Sequence, residues 1–195
     1  MMIRIGITGS IAMGKSTIAN FFRFLGIPVY DADKAVKELL KQPEIIKVLT
    51  KVWPSIKKDD KIDKNILRKI IFDSKKEKEK LEKIIHPLVK EKKKAFEFKH
   101  NQCRMLGFDI PLLYETNQQK NFDYVFLAKC SFNTQIRRAL KRNNLDLKTF
   151  NQINSYQMSI ENKMKYDPIV VNTEHPKFVV FISVFIKLLK IMWIK

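Results

Sequence analysis

Residues 3–26 read IRIGITGSIAMGKSTIANFFRFLG, and the way this stretch divides decides the fold. IRIGIT is short, apolar and β-branched and ends at Gly9, which predicts a buried strand. From Lys15 onward, Ile18, Phe21, Phe22 and Leu25 recur at i, i+3, i+4 and i+7, one face of a helix, which Gly26 stops. Between the two, Gly9 to Ser16 fit G-x-x-x-x-G-K-[ST]. The glycines let the backbone turn and approach phosphate oxygens without a Cβ in the way. Successive N–H groups at a helix N-terminus then make a cradle that favours negative charge. Lys15 reaches the β- and γ-phosphates, and the Ser16 hydroxyl suits Mg²⁺. A plain strand-to-helix turn needs neither residue, so the stretch predicts binding of a nucleoside triphosphate.

Working outward, IPVYDAD (27–33) reads as a second short strand ending in acids, and strand, loop, helix, strand is a βαβ unit with parallel pairing. CRMLGFDIPLL and FDYVFLAKC predict two more buried strands, and DPIVVN a last one before a C-terminal helix. The middle, Lys34 to His100, is lysine-rich and helical, with Val36/Leu39/Leu40 and Leu81/Ile84/Ile85/Leu88 as apolar stripes and no convincing strand. It predicts a helical insertion between core strands. His86-Pro87 reads as the stop of the second stripe's helix. The fold class is α/β.

A chain of 195 residues, 45% hydrophobic and 30% charged, fits one soluble globular domain with an inserted part. Cys103 and Cys130 are too few for a disulfide scaffold and lack metal-ligand spacing, which points to a reducing cytoplasm. No export signal opens the sequence. The net charge of +18 accompanies a chain-wide abundance of lysine, isoleucine and asparagine, so a compositional bias explains it first, anionic small substrates second, nucleic acid or membrane third. FVVFISVFIKLLKIMWIK (178–195) nears the length of a membrane span. Ser183, Lys187 and Lys190 fall on one narrow side, which predicts a largely buried core helix with a thin solvated stripe. Peripheral membrane contact is the alternative, and no stable insertion is expected.

A GTPase would carry N-K-x-D, and NKMK at 162–165 lacks the acid. A small kinase needs an acceptor site and a lid that excludes water. In TQIRRALKRN, Arg138 and Arg142 stand four apart on one helix face, with Ile136, Ala139 and Leu140 roughly opposite, so both guanidinium groups are expected to project toward an anion. A solvated basic face is the plainer reading. Asp31 to Asp33 stand at the carboxyl end of the second strand, where open α/β sheets bind ligands. Asp33 is the favoured base for a substrate hydroxyl, with a helix N-cap as the alternative. Asp109 follows the third apolar run and suits a Mg²⁺-bound water or the acceptor, or else a strand-end cap.

Together these residues resemble the dephospho-CoA kinase family, through GITGSIAMGKST, DAD, IDKNILRKIIF, LEKIIHPLV, DIPLLYE, FDYVFL, QIRRALKRN, YQMS and DPIVVN. IIHPLV and DIPLLYE in this order are the specific part. The resemblance implies a P-loop NTPase three-layer fold: a parallel-sheet core (1–33, 101–132, 166–195) that binds ATP, a helical substrate-binding insertion (34–100) and a short helical lid (133–165). Carried over by motif, Ala12, Met13, Gly14, Lys15, Ser16 and Thr17 hold the ATP phosphates with Arg138 and Arg142. Lys15, Arg142 and Asp33 are the catalytic set; Asp33, His86 and Asp109 stand on the substrate side; Ser16 holds Mg²⁺. The implied reaction phosphorylates the ribose 3′-hydroxyl of dephospho-CoA with ATP, in a cytoplasmic monomer or weak homo-oligomer that binds no nucleic acid. Another small-molecule or nucleoside kinase of the same fold, or a basic nucleic-acid-binding protein using it as a scaffold, are the alternatives. Four positions depart from the family pattern. The family loop usually has glycine at Ser10 and Ala12 and serine at Met13, and Ala12 is free of strain only with negative φ. Tyr166 stands where a small residue is usual.

Overall fold

The computed structural model describes residues 2–141 and 145–194. In chain order the strands are β1 (Ile3–Thr8), β2 (Val29–Asp31), β3 (Lys57–Lys58), β4 (Lys61–Ile62), β5 (Met105–Asp109), β6 (Tyr124–Lys129) and β7 (Ile169–Asn172). The helices are α1 (Lys15–Phe24), α2 (Ala32–Leu39), α3 (Pro43–Val52), α4 (Lys64–Asp73), α5 (Lys75–Lys99), α6 (Phe132–Leu140), α7 (Leu147–Ser155), α8 (Ile160–Met164) and α9 (Lys177–Ile194). Contacts divide the chain into two units: residues up to Tyr30 together with those from His100 onward, and Asp31–Lys99 between them.

The first unit is built on a five-stranded sheet of order β2-β5-β1-β6-β7. β1 runs parallel to both neighbours, with Ile7 opposite Asp109 of β5 and Phe126 of β6, and β6 runs parallel to β7. Alternation along β1 turns Ile3, Ile5 and Ile7 into one core, which Ile18 and Phe22 of α1 and Val180, Val184, Leu188 and Ile191 of α9 complete. Phe22 meets Phe126 edge-on at 5.2 Å. Each such side chain stabilises the fold by about 1.5–3 kcal/mol when fully buried. Gly26, at φ 76, ends α1 as the sequence predicts.

The C-terminal helix differs from its expected form. Among its described side chains only the stripe Val180/Val184/Leu188/Ile191 is buried, while Phe178, Ile182, Phe185, Ile186 and Trp193 are exposed. The solvated side is therefore broad and apolar rather than narrow and basic, because a helix lying on one side of a sheet buries one face only.

The second unit packs Leu39, Leu49, Trp53, Ile56, Leu67 and Ile85 from α2 to α5 into its own core. The Trp53 indole N–H donates to Glu77 Oε2 at 2.7 Å. Two expectations are corrected here. The insertion does contain strands: β3 and β4 form a short antiparallel hairpin whose turn sets Asp59 at φ 52. Two-residue strands carry no period to read. Nor does Pro87 stop a helix, since α5 runs through it from Lys75 to Lys99. A proline removes one backbone hydrogen bond, and apolar residues on both sides of it, Leu81, Ile84 and Ile85 before and Leu88 and Val89 after, pack into the same core. That burial holds the helix together across the break.

Candidate active site

The loop between β1 and α1 has the geometry of an anion cradle. Gly14 is the N-cap of α1 at φ 95, with no side chain capping the first-turn N–H groups. A Cβ there would lie 2.8 Å from Thr173 Oγ1. A Cβ on Gly9 would lie 2.9 Å from that of Ala128. Only glycine fits at either position, which keeps the backbone close; within the loop the Met13 and Thr17 N–H groups donate to the Ser10 and Gly14 carbonyls at 3.1 and 2.9 Å. Ala12 does not meet the condition set for it: its φ is 60. A Cβ in the left-handed region costs about 1–2 kcal/mol. Its methyl is buried in a small cluster with Ala139 and Phe150, which offsets part of that cost.

Lys15, at the first position of α1, forms an ion pair with Asp109. The contact follows from the register. Asp109 ends β5 beside Ile7 of the central strand, on the same side as Met105, a member of the core that α1 covers. Both partners are largely withdrawn from water, with side-chain exposures of 16% for Lys15 and 5% for Asp109. Asp109 thus faces the lysine of the loop. Ser16 is exposed on the same turn and Thr17 half-buried.

Arg138 sits differently from its expected free projection. Its guanidinium donates to Thr173 Oγ1 at 3.0 Å and to the Thr173 carbonyl at 2.6 Å. Thr173 Oγ1 in turn donates to the Met13 carbonyl at 2.7 Å. Arg138 is therefore joined to the phosphate loop through Thr173, because the carbonyl at the end of β7 offers it an acceptor. Glu174, next in the chain, accepts from Ser131 and Thr134, and these hydrogen bonds hold its carboxyl below the usual range. Arg142 lies outside the described residues.

Several side chains that brace the loop escaped the sequence reading. Gln157 Oε1 accepts from the Ile11 N–H at 2.8 Å, and Gln135 Nε2 donates to the Ile11 carbonyl at 2.9 Å. Lys163 is fully buried; its Nζ lies 3.2 Å from Ser10 Oγ and 3.0 Å from Glu115 Oε1. The Ser10 hydroxyl, absent in a glycine, gives this buried cation a second acceptor. Glu115 Oε1 also accepts from the Met158 N–H at 2.8 Å. Tyr114 beside it is buried and stacks on Tyr166 at 5.0 Å. Burial, and then the neighbouring Tyr166, push the Tyr114 hydroxyl up to about 12. The bulky Tyr166 has this stacking partner. YQMS and DIPLLYE carried a signal for Gln157 and Glu115; nothing local marked Thr173 or Lys163.

Asp33 and His86 belong to the other unit. Asp31, not Asp33, caps α2, accepting from the Lys34 N–H at 2.8 Å. Asp33 is exposed in the first turn, and His86 is exposed midway along α5.

A family model described as dephospho-CoA kinase matches residues 3–176. The chain belongs to the dephospho-CoA kinase family. Its relative from Bartonella henselae, a dephospho-CoA kinase, is 40% identical over 171 residues, covering 87% of this chain and 88% of that one. A Thermus thermophilus crystal structure superposes with a TM-score of 0.89 at 25% identity, covering 97% of each chain. The dephospho-CoA kinase from Campylobacter jejuni does so at 0.66, also 25% identical and covering 96% of each. As a member of this family the chain is a kinase.

Proposed function

We infer that this chain transfers the γ-phosphoryl group of ATP to the ribose 3′-hydroxyl of dephospho-CoA, giving CoA and ADP, the last step of CoA biosynthesis. The observation that carries this reading is the cradle with Gly9, Gly14, Lys15 and Ser16 intact, inside a match over residues 3–176. Phosphoryl transfer asks little covalent chemistry of the protein; placement and neutralised charge do most of the work. Residues 12–17 hold the β- and γ-phosphate oxygens, through those of their amides that do not already donate to the Ser10 and Gly14 carbonyls. Lys15 turns from Asp109 toward these oxygens and neutralises charge that builds as the bond from the bridging oxygen to the γ-phosphorus breaks. Arg138 and Arg142 add positive charge from the lid side. Asp33 accepts the proton of the 3′-hydroxyl as its oxygen bonds to phosphorus. His86 and Asp109 complete the acceptor side. The exposed Ser16 hydroxyl would hold Mg²⁺, which would supply further charge neutralisation to the phosphates. The enzyme works in the cytoplasm as a monomer or weak homo-oligomer, without nucleic acid.

A coupled ADP-release assay over candidate acceptors tests this. Dephospho-CoA should give ADP well above buffer, and nucleoside monophosphates should not. The reverse pattern would assign the site to another small-molecule kinase.

A further inference from the structure

Helix α9 begins at Lys177, just beyond residue 176, where the family match ends. With one face on the sheet, it turns Phe178, Ile182, Phe185, Ile186, Leu189 and Trp193 to solvent. Their spacing of i, i+4, i+7, i+8, i+11 and i+15 makes one continuous strip opposite the buried stripe. Trp193 is 90% exposed and Phe178 71%. Scattered exposed apolar residues need no explanation, but a continuous strip with aromatic residues near both ends marks an interaction surface. The strip extends onto α1, where Phe24, 79% exposed, packs edge-on against Phe181 at 5.5 Å.

The charge around the strip names its occupant. Glu174 is the last acid in the sequence, so α9 contains Lys177, Lys187 and Lys190 and no carboxylate. Arg23, beside Phe24, is also exposed. A cavity of about 330 Å³ opens beside Phe185 and Leu189, lined largely by apolar side chains such as Leu25, Met105 and Leu188, with Arg104 among them. One guanidinium nitrogen of Arg104 donates to the Met192 carbonyl at 3.0 Å; apolar room for a hydrocarbon chain beside its remaining N–H groups suits a lipid with an anionic headgroup. A second copy of this chain is opposed by the same charges, since facing helices would bring lysines together without a carboxylate between them, on molecules of net charge +18. Among the described residues no helix is long and apolar enough to cross a membrane. An interfacial helix lies along the bilayer surface, with aromatic and aliphatic residues sunk below the headgroups and lysines among the phosphates.

We propose that α9 docks this protein reversibly onto anionic membrane surfaces, through the strip from Phe178 to Trp193 and the basic residues at its edges.

Vesicle flotation of the full chain tests this, using phosphatidylcholine alone and phosphatidylcholine with phosphatidylglycerol. Binding should be roughly tenfold or more stronger to the anionic vesicles and weaken as salt rises. Trp193 fluorescence, taken as wild type minus Trp193→Phe, should shift to the blue on binding. Ile186→Glu with Leu189→Glu should cut the floated fraction by roughly tenfold while kinase turnover in vesicle-free buffer stays unchanged. Trp193→Ala alone, at an exposed position that leaves the fold intact, should weaken it too. Absence of flotation overturns the proposal, as does flotation that these substitutions leave unchanged. Sedimentation showing a dimer that they dissociate, without vesicle binding, makes a second copy the occupant and overturns it equally.

Discussion

Asp109→Ala leaves the Lys15 ammonium with 16% side-chain exposure and its carboxylate partner gone. Breaking a fully buried ion pair from one side costs about 3–5 kcal/mol. Lys15 still touches water, which lowers the cost here to about 2–3 kcal/mol. For a chain of this length each kcal/mol moves the midpoint of thermal unfolding by about 2–4 °C, so the expected fall is about 4–12 °C. Lys15→Ala should also lower the midpoint, because it removes the ammonium that the buried carboxylate faces. The double substitution should lie well above the sum of the two, since neither charge of the pair remains. Saturating ATP should raise the midpoint of Asp109→Ala more than that of wild type: the phosphates supply the missing counter-charge, whereas in wild type Asp109 must first give up Lys15. Thermal unfolding followed by circular dichroism, with and without nucleotide, reads all four proteins. The reasoning is refuted if both single variants melt within 1 °C or so of wild type, or if the two losses simply add.

Other consequences are equally open to measurement. Gly14→Ala should abolish ATP binding in calorimetry and lower the melting temperature, since its Cβ would meet Thr173 Oγ1 at 2.8 Å on a left-handed backbone; unchanged affinity would remove Gly14 from the cradle. Lys163→Met should lower the melting temperature, because it leaves the Glu115 carboxylate without this buried cation, and should also weaken ATP binding, because it releases Ser10 of the loop; equal affinity for ATP would make the lysine a fold element only. The raised Tyr114 hydroxyl favours its neutral form in the folded state, so its contribution is complete below the ordinary tyrosine value and is lost as pH rises toward about 12. Tyr114→Phe should flatten alkaline unfolding over that window. It should also keep or slightly raise neutral-pH stability, because the buried hydroxyl has no hydrogen-bond partner among the described residues. A variant as alkali-sensitive as wild type would contradict this.

Much of the fold was legible because its signals are local. Periodicity fixed α1 and its end at Gly26, and short apolar runs fixed β1, β5, β6 and β7. The hairpin of β3 and β4 was invisible because two residues hold no alternation. Pro87 misled because a local breaking tendency was outweighed by burial on both sides of it. The outward side of α9 was misjudged for a related reason: composition shows how apolar a helix is, not how much of it a neighbour covers. Ala12 was recognised as a departure, but its sign of φ depends on the path of the loop between Gly9 and Gly14.

The loop motif and the kinase family were legible in the sequence itself, the loop because it is written within a few consecutive positions whose backbone geometry they dictate, the family because its motifs recur in order along residues 3–176. Which side chains hold that cradle was decided by the tertiary structure. Lys15 meets Asp109 across 94 residues, Lys163 meets Ser10 across 153, and Thr173 meets Met13 across 160. No spacing along the chain encodes such pairs; strand order and register create them, by carrying the ends of parallel strands to one edge of the sheet.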